Sequence, residues 1–257
     1  NHASLVDAAL LSKGKLFRYR HSDLSHLKSL LEKYKHNDLI IMTDGVFSMD
    51  GDCSPLIEIS KLCKTYHALL IVDDAHGIGV LGGSGGGLVE ELNLEKEVDL
   101  LIGTFGKSFG ATGAFITGSE AIIEAFIQKA RTYIYTTALL PSVAAAVTHA
   151  VDLINEGSDL RKHIKELVVE YKKLARATGL YVSKSSYHIQ PLIIGDANET
   201  LRISKALYKN NILVPAIRPP TVPKNTSRLR ISITAAHTKK DISLLVKTAS
   251  SILNEGQ

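Results

Sequence analysis

Short apolar runs that end in polar residues or glycine recur along the first part of the chain. They are residues 38–45 (DLIIMTDG), 67–77 (HALLIVDDAHG) and 98–106 (VDLLIGTFG). Near-continuous runs of this kind are typical of strands buried on both faces of a parallel sheet. Residues 55–66 (PLIEISKLCKTY) lie between the first two runs, and their helical spacing of apolar positions predicts a crossover helix. The pattern predicts an α/β fold whose predominantly parallel sheet has flanking helices.

A different pattern follows this region. The pattern predicts another strand at residues 113–118 and helices at residues 119–131 and 139–157, the last of which ends at a glycine. The remaining part alternates charged amphipathic helices with short strands. Its predicted helices are 158–179, 198–211 and 239–254, and its predicted strands are 189–195, 213–217 and 228–234. We therefore predict a major ligand-binding domain over residues 1–157 and a smaller C-terminal α+β domain over residues 158–257.

Composition narrows the class of protein. Of the 257 residues, 45% are hydrophobic and 22% are charged, and the apolar runs are too short to span a membrane. Cys53 and Cys63 form neither a metal-binding spacing nor a disulfide framework, so we expect a cytoplasmic protein. The net charge of +4 is spread over amphipathic helices, which argues against a nucleic-acid partner. The chain begins NHASLVDAALL, without methionine or a signal-peptide pattern, so we expect that it begins within a domain.

Lys107 lies among glycines in GTFGKSFG, residues 103–110, directly after an apolar run. A phosphate-binding Walker A loop would need glycine at position 101, where this chain has Leu101. The segment GGSGGG (82–87) also lacks the strand–glycine–helix arrangement of a dinucleotide site, and we expect a flexible turn there. The sequence therefore argues against both kinds of phosphate loop.

Asp73 and His76 lie at the end of a buried strand, at the same predicted edge of the sheet as Lys107. A lysine alone is most often a solvated surface residue, Asp73 alone could cap a turn, and His76 alone could be a turn histidine. Together they match one cofactor, because pyridoxal phosphate requires a lysine for its Schiff base and a carboxylate on its ring nitrogen. His76 would then suit the phenolate oxygen of the ring, and the hydroxyl of Thr104 could reach the phosphate.

Other chemistry has weak support. His21 and His26 lack the spacing of a metal site, so no metal is predicted. Ser48 lacks the Gly-x-Ser-x-Gly context of a serine nucleophile.

Four motifs carry a resemblance to a known family. They are NHAS (1–4), DGVFSMDGD (44–52), VDDAHGIGVLG (72–82) and TFGKSFG (104–110). These residues resemble the α-oxoamine synthases, which are fold type I pyridoxal-phosphate enzymes. The C-terminal runs IQPLIIGD (189–196), AIRPPTVP (216–223) and RLRISITAAH (228–237) are similar to the branch of that family that serves biotin synthesis. The resemblance extends over essentially the whole chain.

The resemblance implies roles for residues that match the family's motifs. Lys107 would form the Schiff base and act as acid and base at the α-carbon of the substrate. Asp73 would pair with the pyridinium nitrogen, and His76 would bond the phenolate oxygen. His2 would stack on the cofactor ring, next to the substrate, and Ser48 would also contact the cofactor.

The remaining implied roles concern phosphate and substrate. Thr104 would lie near the phosphate, and Thr136 or Thr137 would reach the phosphate of a neighbouring subunit in a homodimer. Thr221 and Arg218 would bind the substrate, since the planar guanidinium of Arg218 suits a carboxylate.

The biotin branch implies a decarboxylating condensation of L-alanine with a pimeloyl thioester. The sequence leaves open whether coenzyme A or an acyl carrier protein carries the acyl group. Three alternatives also stay open: a sister synthase that uses glycine, a P-loop nucleotide-binding protein, and a non-catalytic homologue. Complete family members carry a further N-terminal portion with a glycine-rich segment that helps to hold the phosphate.

Overall fold

The structure, a computed structural model, describes residues 1–255, which fold into two compact units. Unit 1 contains Asn1–Phe47 and Cys53–Ser158. Unit 2 contains the short segment Ser48–Asp52 and the chain from Asp159 onwards. Unit 1 is an α/β layer structure and unit 2 is built from an antiparallel sheet and helices, so the predicted fold class is confirmed.

Unit 1 contains a four-stranded sheet of strand order β1-β2-β3-β4. Its strands are β1 (Ile40–Asp44), β2 (Leu69–Asp73), β3 (Leu100–Thr104) and β4 (Ala114–Gly118). The first three strands are parallel, and β4 is antiparallel to β3. Leu70 and Val72 of β2 are fully buried, as the continuous apolar run of this strand predicts.

Seven helices of unit 1 connect or flank these strands. They are α1 (Ala3–Leu11), α2 (Leu24–Tyr34), α3 (Leu56–Tyr66), α4 (Leu88–Glu91), α5 (Glu120–Lys129), α6 (Arg131–Ile134) and α7 (Pro141–Glu156). The crossover helix α3 buries Leu56, Ile59 and Cys63 and ends at His67, which adopts the left-handed conformation. The single helix predicted over residues 119–131 is divided, because Ala130 has an extended backbone.

Unit 2 contains a three-stranded antiparallel sheet of strand order β5-β7-β6. Its strands are β5 (Ile189–Gly195), β6 (Ala216–Ile217) and β7 (Ser227–Ser232), and its helices are α8 (Ser158–Ala177), α9 (Ala197–Lys209) and α10 (Lys239–Asn254). Leu167, Ile203, Leu207 and Leu229 are fully buried between this sheet and the helices. Among residues 1–255, no helix is both long and apolar enough to cross a membrane.

Candidate active site

The carboxyl ends of the three parallel strands bring polar residues to one edge of the sheet of unit 1. These strands end at Asp44, Asp73 and Thr104. Asp44 and Asp73 are register partners, and Asp73 is paired with Ile102, two residues before Thr104. Neighbouring strands lie about 4.8 Å apart, so the three ends are adjacent. In parallel sheets this edge is where ligands bind.

Asp73 begins a tight turn that carries His76. The Asp73 side chain is largely buried, and its Oδ1 accepts a hydrogen bond from the Ala75 N–H at 3.1 Å. The N–H groups of Gly77 and Ile78 donate to the carbonyl oxygen of Asp74, at 2.9 and 3.0 Å, and close the turn. The carboxylate of Asp73 is thus fixed by the backbone, and His76 lies partly exposed three residues later.

Lys107 lies in a closed loop between β3 and β4. The Ala111 N–H donates to the Phe105 carbonyl at 2.8 Å, and the Gly110 N–H donates to the Lys107 carbonyl at 3.0 Å. Gly110 has φ +62°, and a Cβ added there would meet no atom within 4 Å. The glycine therefore serves the left-handed backbone of this loop, in which Lys107 is exposed.

Three aromatic rings pack together at this loop: Phe105 and Phe109 belong to the loop, and Phe115 lies on β4. Phe105 stacks on Phe115 with ring centroids 5.3 Å apart, and Phe109 meets Phe105 edge-on at 5.2 Å. Aromatic pairs at such separations add about 0.5–1.5 kcal/mol each beyond their buried area. The loop that presents Lys107 is therefore held by side-chain packing as well as by its backbone hydrogen bonds.

The hydroxyl of Thr104 is an unsatisfied polar group. Its Oγ1 is buried and has no hydrogen-bond partner among the residues that the structure describes. Leaving a buried hydroxyl unpaired costs about 1–3 kcal/mol. A ligand that supplied an acceptor at the end of β3 would remove this cost.

Asp44, for which the sequence analysis predicted no role, anchors His2 to the same edge of the sheet. The His2 N–H lies 3.0 Å from both carboxylate oxygens of Asp44 and donates to them, and the Asn1 side-chain amide donates to the Met42 carbonyl at 2.7 Å. Burial raises the pKa of the Asp44 carboxyl, and the His2 N–H opposes that shift. The His2 ring itself is exposed, with Nδ1 2.8 Å from Ser4 Oγ.

Three of the predicted site residues lie in unit 2. Ser48 belongs to its short segment 48–52, whereas Arg218 and Thr221 lie together in an exposed turn. The Thr221 N–H donates to the Arg218 carbonyl at 3.0 Å, which closes that turn. The structure thus groups Asp73, His76, Thr104 and Lys107 in unit 1 and these three residues in unit 2.

Arg230 on β7 is a candidate residue that sequence reasoning missed. Its Nε is buried without a hydrogen-bond partner among the described residues. Burial, reinforced by the charge of Arg230, lowers the pKa of His188 to about 4, so this histidine is neutral at pH 7. Side chains alternate between the two faces of a strand, so Arg230 lies on the face opposite Leu229 and Ile231. This alternation was the sequence signal that could have identified Arg230 as a candidate.

Within residues 1–255 no group of three or more histidine, cysteine, aspartate or glutamate side chains could hold a metal ion.

Solved structures of similar fold include two enzymes. A serine palmitoyltransferase from S. paucimobilis with bound PLP–myriocin superposes with a TM-score of 0.94 at 28% identity, over 99% of this chain and 65% of the other. An 8-amino-7-oxononanoate synthase from Francisella tularensis superposes with a TM-score of 0.85 at 33% identity, over 99% of this chain and 73% of the other.

Curated relatives are more similar in sequence. The 8-amino-7-oxononanoate synthases of Hahella chejuensis and Marinobacter nauticus are 48% and 45% identical to this chain over 96% and 99% of its length. The chain spans 63% and 66% of the length of these two relatives. The family model for aminotransferase class I and II matches residues 1–248. With that match and the shared fold, the chain belongs to the aminotransferase class I and II family.

Proposed function

We propose that this chain is part of a pyridoxal-phosphate-dependent acyltransferase, an 8-amino-7-oxononanoate synthase. It would join L-alanine to a pimeloyl thioester with loss of carbon dioxide, in biotin synthesis. The proposal is carried by the arrangement of Asp73 and Thr104 at the ends of the adjacent strands β2 and β3, with Lys107 in the loop that follows β3. The 45–48% identity to synthases of that name supports the choice of reaction.

The residues at this edge fit pyridoxal phosphate. Lys107 offers an amine on an exposed residue, Asp73 offers a fixed carboxylate, and Thr104 offers a buried hydroxyl that has no hydrogen-bond partner within residues 1–255. We infer that Lys107 Nζ binds the cofactor covalently and that Thr104 Oγ1 lies near its phosphate. When bound, the cofactor supplies an electron sink for a carbanion at the α-carbon of the amino acid.

The protein residues would manage protons and orientation. Asp73 would keep a proton on the ring nitrogen of the cofactor, because an adjacent carboxylate favours the charged pyridinium. Lys107 Nζ would remove the α-proton of the amino acid and would later return a proton. His76 would hydrogen-bond the phenolate oxygen, and His2, fixed by Asp44, would stack on the ring.

Residues of unit 2 would bind the substrates. Arg218 and Thr221 are proposed as substrate contacts, with the guanidinium on a carboxylate. Arg230, whose buried Nε has no hydrogen-bond partner in the described part of the chain, is a second candidate for binding a carboxylate. Ser48 is proposed to contact the cofactor.

The function is tested by mixing the full-length protein with pyridoxal phosphate, L-alanine and a pimeloyl thioester. We expect release of thiol and of carbon dioxide in equal amounts, together with the amino-ketone product. A Lys107→Ala variant should lose all three, whereas Lys96→Ala, a lysine after α4, should keep them. Release of thiol without carbon dioxide would contradict the condensation.

The amino acid can be identified in a separate experiment. The serine palmitoyltransferase fold similarity makes L-serine a relevant competitor, and the sister synthases make glycine another. Exchange of the α-proton in heavy water, followed by NMR, compares the three without an acyl donor. We expect L-alanine to exchange at least about tenfold faster than glycine or L-serine, and preference for glycine would assign the chain to a sister activity.

A homodimer is also proposed. The helices α5, α6 and α7 bury none of their residues, and they expose apolar side chains. Phe126, Ile134 and Leu153 on these helices and Leu140 directly before α7 are between 38% and 66% exposed, and a protein interface would cover them. Thr136 and Thr137, between α6 and α7, are exposed in the same region. Sedimentation of the full-length protein tests this, and a monomer at micromolar concentration would contradict it.

A further inference from the structure

The glycine-rich loop, residues 82–87, is folded around a carboxylate. Glu90 Oε1 accepts hydrogen bonds from the N–H and the hydroxyl of Ser84, both at 2.9 Å, and Oε2 accepts the Gly86 N–H at 2.6 Å. A Cβ added to Gly82 would lie 2.1 Å from Glu90 Oε2. The glycines therefore let the backbone close on the side chain of Glu90, and the loop has a defined conformation in place of the flexible turn that we expected.

Asp74 connects this loop to the turn of the candidate site. Its side chain is fully buried, and Oδ2 accepts the Leu88 N–H at 2.5 Å. A Cβ added to Gly77 would lie 2.1 Å from Oδ1, and one added to Gly87 would lie 2.1 Å from Oδ2. A Cβ at Gly45 would lie 2.5 Å from Oδ1. The carboxylate thus fills a space that three glycines leave open between β1, the Asp73 turn and α4.

The segment between the turn and the loop also contacts the Lys107 loop. The Gly79 N–H donates to the Gly85 carbonyl at 2.7 Å, which ties the segment to the glycine-rich loop. A Cβ at Gly79 would lie only 2.4 Å from the Cβ of Ser108, the residue after Lys107. The glycine-rich loop is therefore connected, through this segment, to the Asp73 turn and to the Lys107 loop, which would hold the cofactor.

We propose that Asp74 and Glu90 are positioning residues of the cofactor site, whose carboxylates fold the glycine-rich loop so that it supports both the Asp73 turn and the Lys107 loop. The inference rests on the proposed function, because the positions of Asp73 and Lys107 matter to a bound cofactor. Asp74 acts through backbone contacts and through packing, and Glu90 acts through the loop. The glycine-rich loop thereby gains a role that does not involve binding a phosphate.

The test uses the full-length protein with two isosteric variants and one control. At pH 8, above the pKa of Asp74, Asp74→Asn and Glu90→Gln remove the negative charges without changing side-chain size. Glu90 is partly exposed, so its variant folds even if the buried Asp74→Asn does not. The control is Asp99→Asn, because Asp99 Oδ2 also accepts a backbone N–H, that of Leu70 at 2.7 Å, at the opposite end of β2.

Two quantities are measured, hydrogen exchange of the cofactor-free protein and the affinity for pyridoxal phosphate from its absorbance. We expect Asp74→Asn to speed exchange in residues 74–91 and 103–110 and to weaken cofactor binding at least about tenfold, as loss of one charge-assisted hydrogen bond would. Glu90→Gln should act in the same direction but less strongly. The control should leave both segments and the affinity unchanged.

The outcomes separate this inference from the proposed function. Variants that bind the cofactor within about twofold of wild type and show unchanged exchange in residues 103–110 would overturn the positioning role. Wild-type protein that fails to bind pyridoxal phosphate would instead overturn the proposed function, and the positioning role would fall with it.

Discussion

Three aspartates at one sheet edge have different surroundings, and these surroundings separate their roles. Asp74 is fully buried and its Oδ2 accepts the Leu88 N–H, so it has no surface for a ligand. Asp44 uses both carboxylate oxygens on the His2 N–H. Asp73 accepts one backbone hydrogen bond, from Ala75 to Oδ1, which leaves its other oxygen for a ligand. The choice of Asp73 as the partner of the cofactor ring follows from this difference.

Asp73→Asn should separate cofactor attachment from catalysis. An amide cannot stabilise a protonated ring nitrogen as a carboxylate does, so we expect α-proton exchange of L-alanine to fall at least about a hundredfold. Covalent attachment at Lys107 should persist. NMR in heavy water measures the exchange, and Asp99→Asn serves as the control. An unchanged exchange rate would refute the role given to Asp73.

Asp74→Asn should change how stability depends on pH. Burial raises the pKa of Asp74 to about 7 against the hydrogen bonds from Leu88 and Val89, whereas an unfolded aspartate has a pKa near 3.9. The folded wild type therefore binds more protons than the unfolded chain between these values, and its free energy of unfolding decreases as the pH rises through that window.

The asparagine variant lacks this titration. We expect its stability relative to wild type to rise by up to roughly 1.4 kcal/mol per pH unit between about pH 4 and pH 7 and to level off above. Urea unfolding at four pH values measures the difference. A difference that stays constant with pH would mean that Asp74 does not titrate in this window.

At the scale of elements, the sequence predicted most strands and helices because their hydrophobic periods are clear. The apolar runs that became β1, β2 and β3 could not be confused with helices, since they are short and end in polar residues. The glycine-rich loop could not be predicted, because its conformation depends on Glu90 and Asp74, whose side-chain directions do not follow from local sequence. For the same reason Asp44 received no role.

Helix α8 offers a test of the core of unit 2. Tyr171 is almost fully buried, and its hydroxyl has no hydrogen-bond partner among the described residues. Because an unpaired buried hydroxyl is unfavourable, Tyr171→Phe should leave the protein equally stable or stabilise it by about 1 kcal/mol. The matched control is Tyr66→Phe. The exposed hydroxyl of Tyr66 donates to Glu32 at 3.0 Å, so its removal should lower the free energy of unfolding by at most about 1 kcal/mol. Thermal unfolding compares the two, and clear destabilisation by Tyr171→Phe would contradict the buried unpaired hydroxyl.

At the scale of the whole molecule, one short segment is separated along the chain from the rest of the unit to which it belongs. Residues 48–52 belong to unit 2, although they follow β1 closely in the chain. The Arg228 guanidinium donates to the Met49 carbonyl at 3.3 Å and to Asp50 Oδ1 at 2.5 Å, and Ser185 Oγ donates to the Gly51 carbonyl at 2.6 Å. Contacts between residues more than 130 positions apart are not readable from composition or periodicity.

Arg228→Ala should release this segment. The substitution leaves the Met49 carbonyl and the Asp50 carboxylate without the guanidinium, so we expect faster hydrogen exchange in residues 48–52 and a loss of about 1.5–3 kcal/mol in unfolding free energy. Arg202→Ala is the control, because Arg202 pairs with the nearby Glu199 and donates one bond to the Ile252 carbonyl at 3.2 Å, so its loss should cost about 1 kcal/mol. Equal exchange in residues 48–52 of wild type and Arg228→Ala would show that other contacts hold the segment.

Lys107 is the residue that we propose to bind pyridoxal phosphate. The most direct test adds the cofactor to the full-length protein, reduces the carbon–nitrogen bond with borohydride, and locates the modified lysine by mass spectrometry. We expect modification of Lys107 alone, at one cofactor per chain, and none in Lys107→Ala. Modification spread over surface lysines, with Lys107 no more labelled than the others, would contradict it.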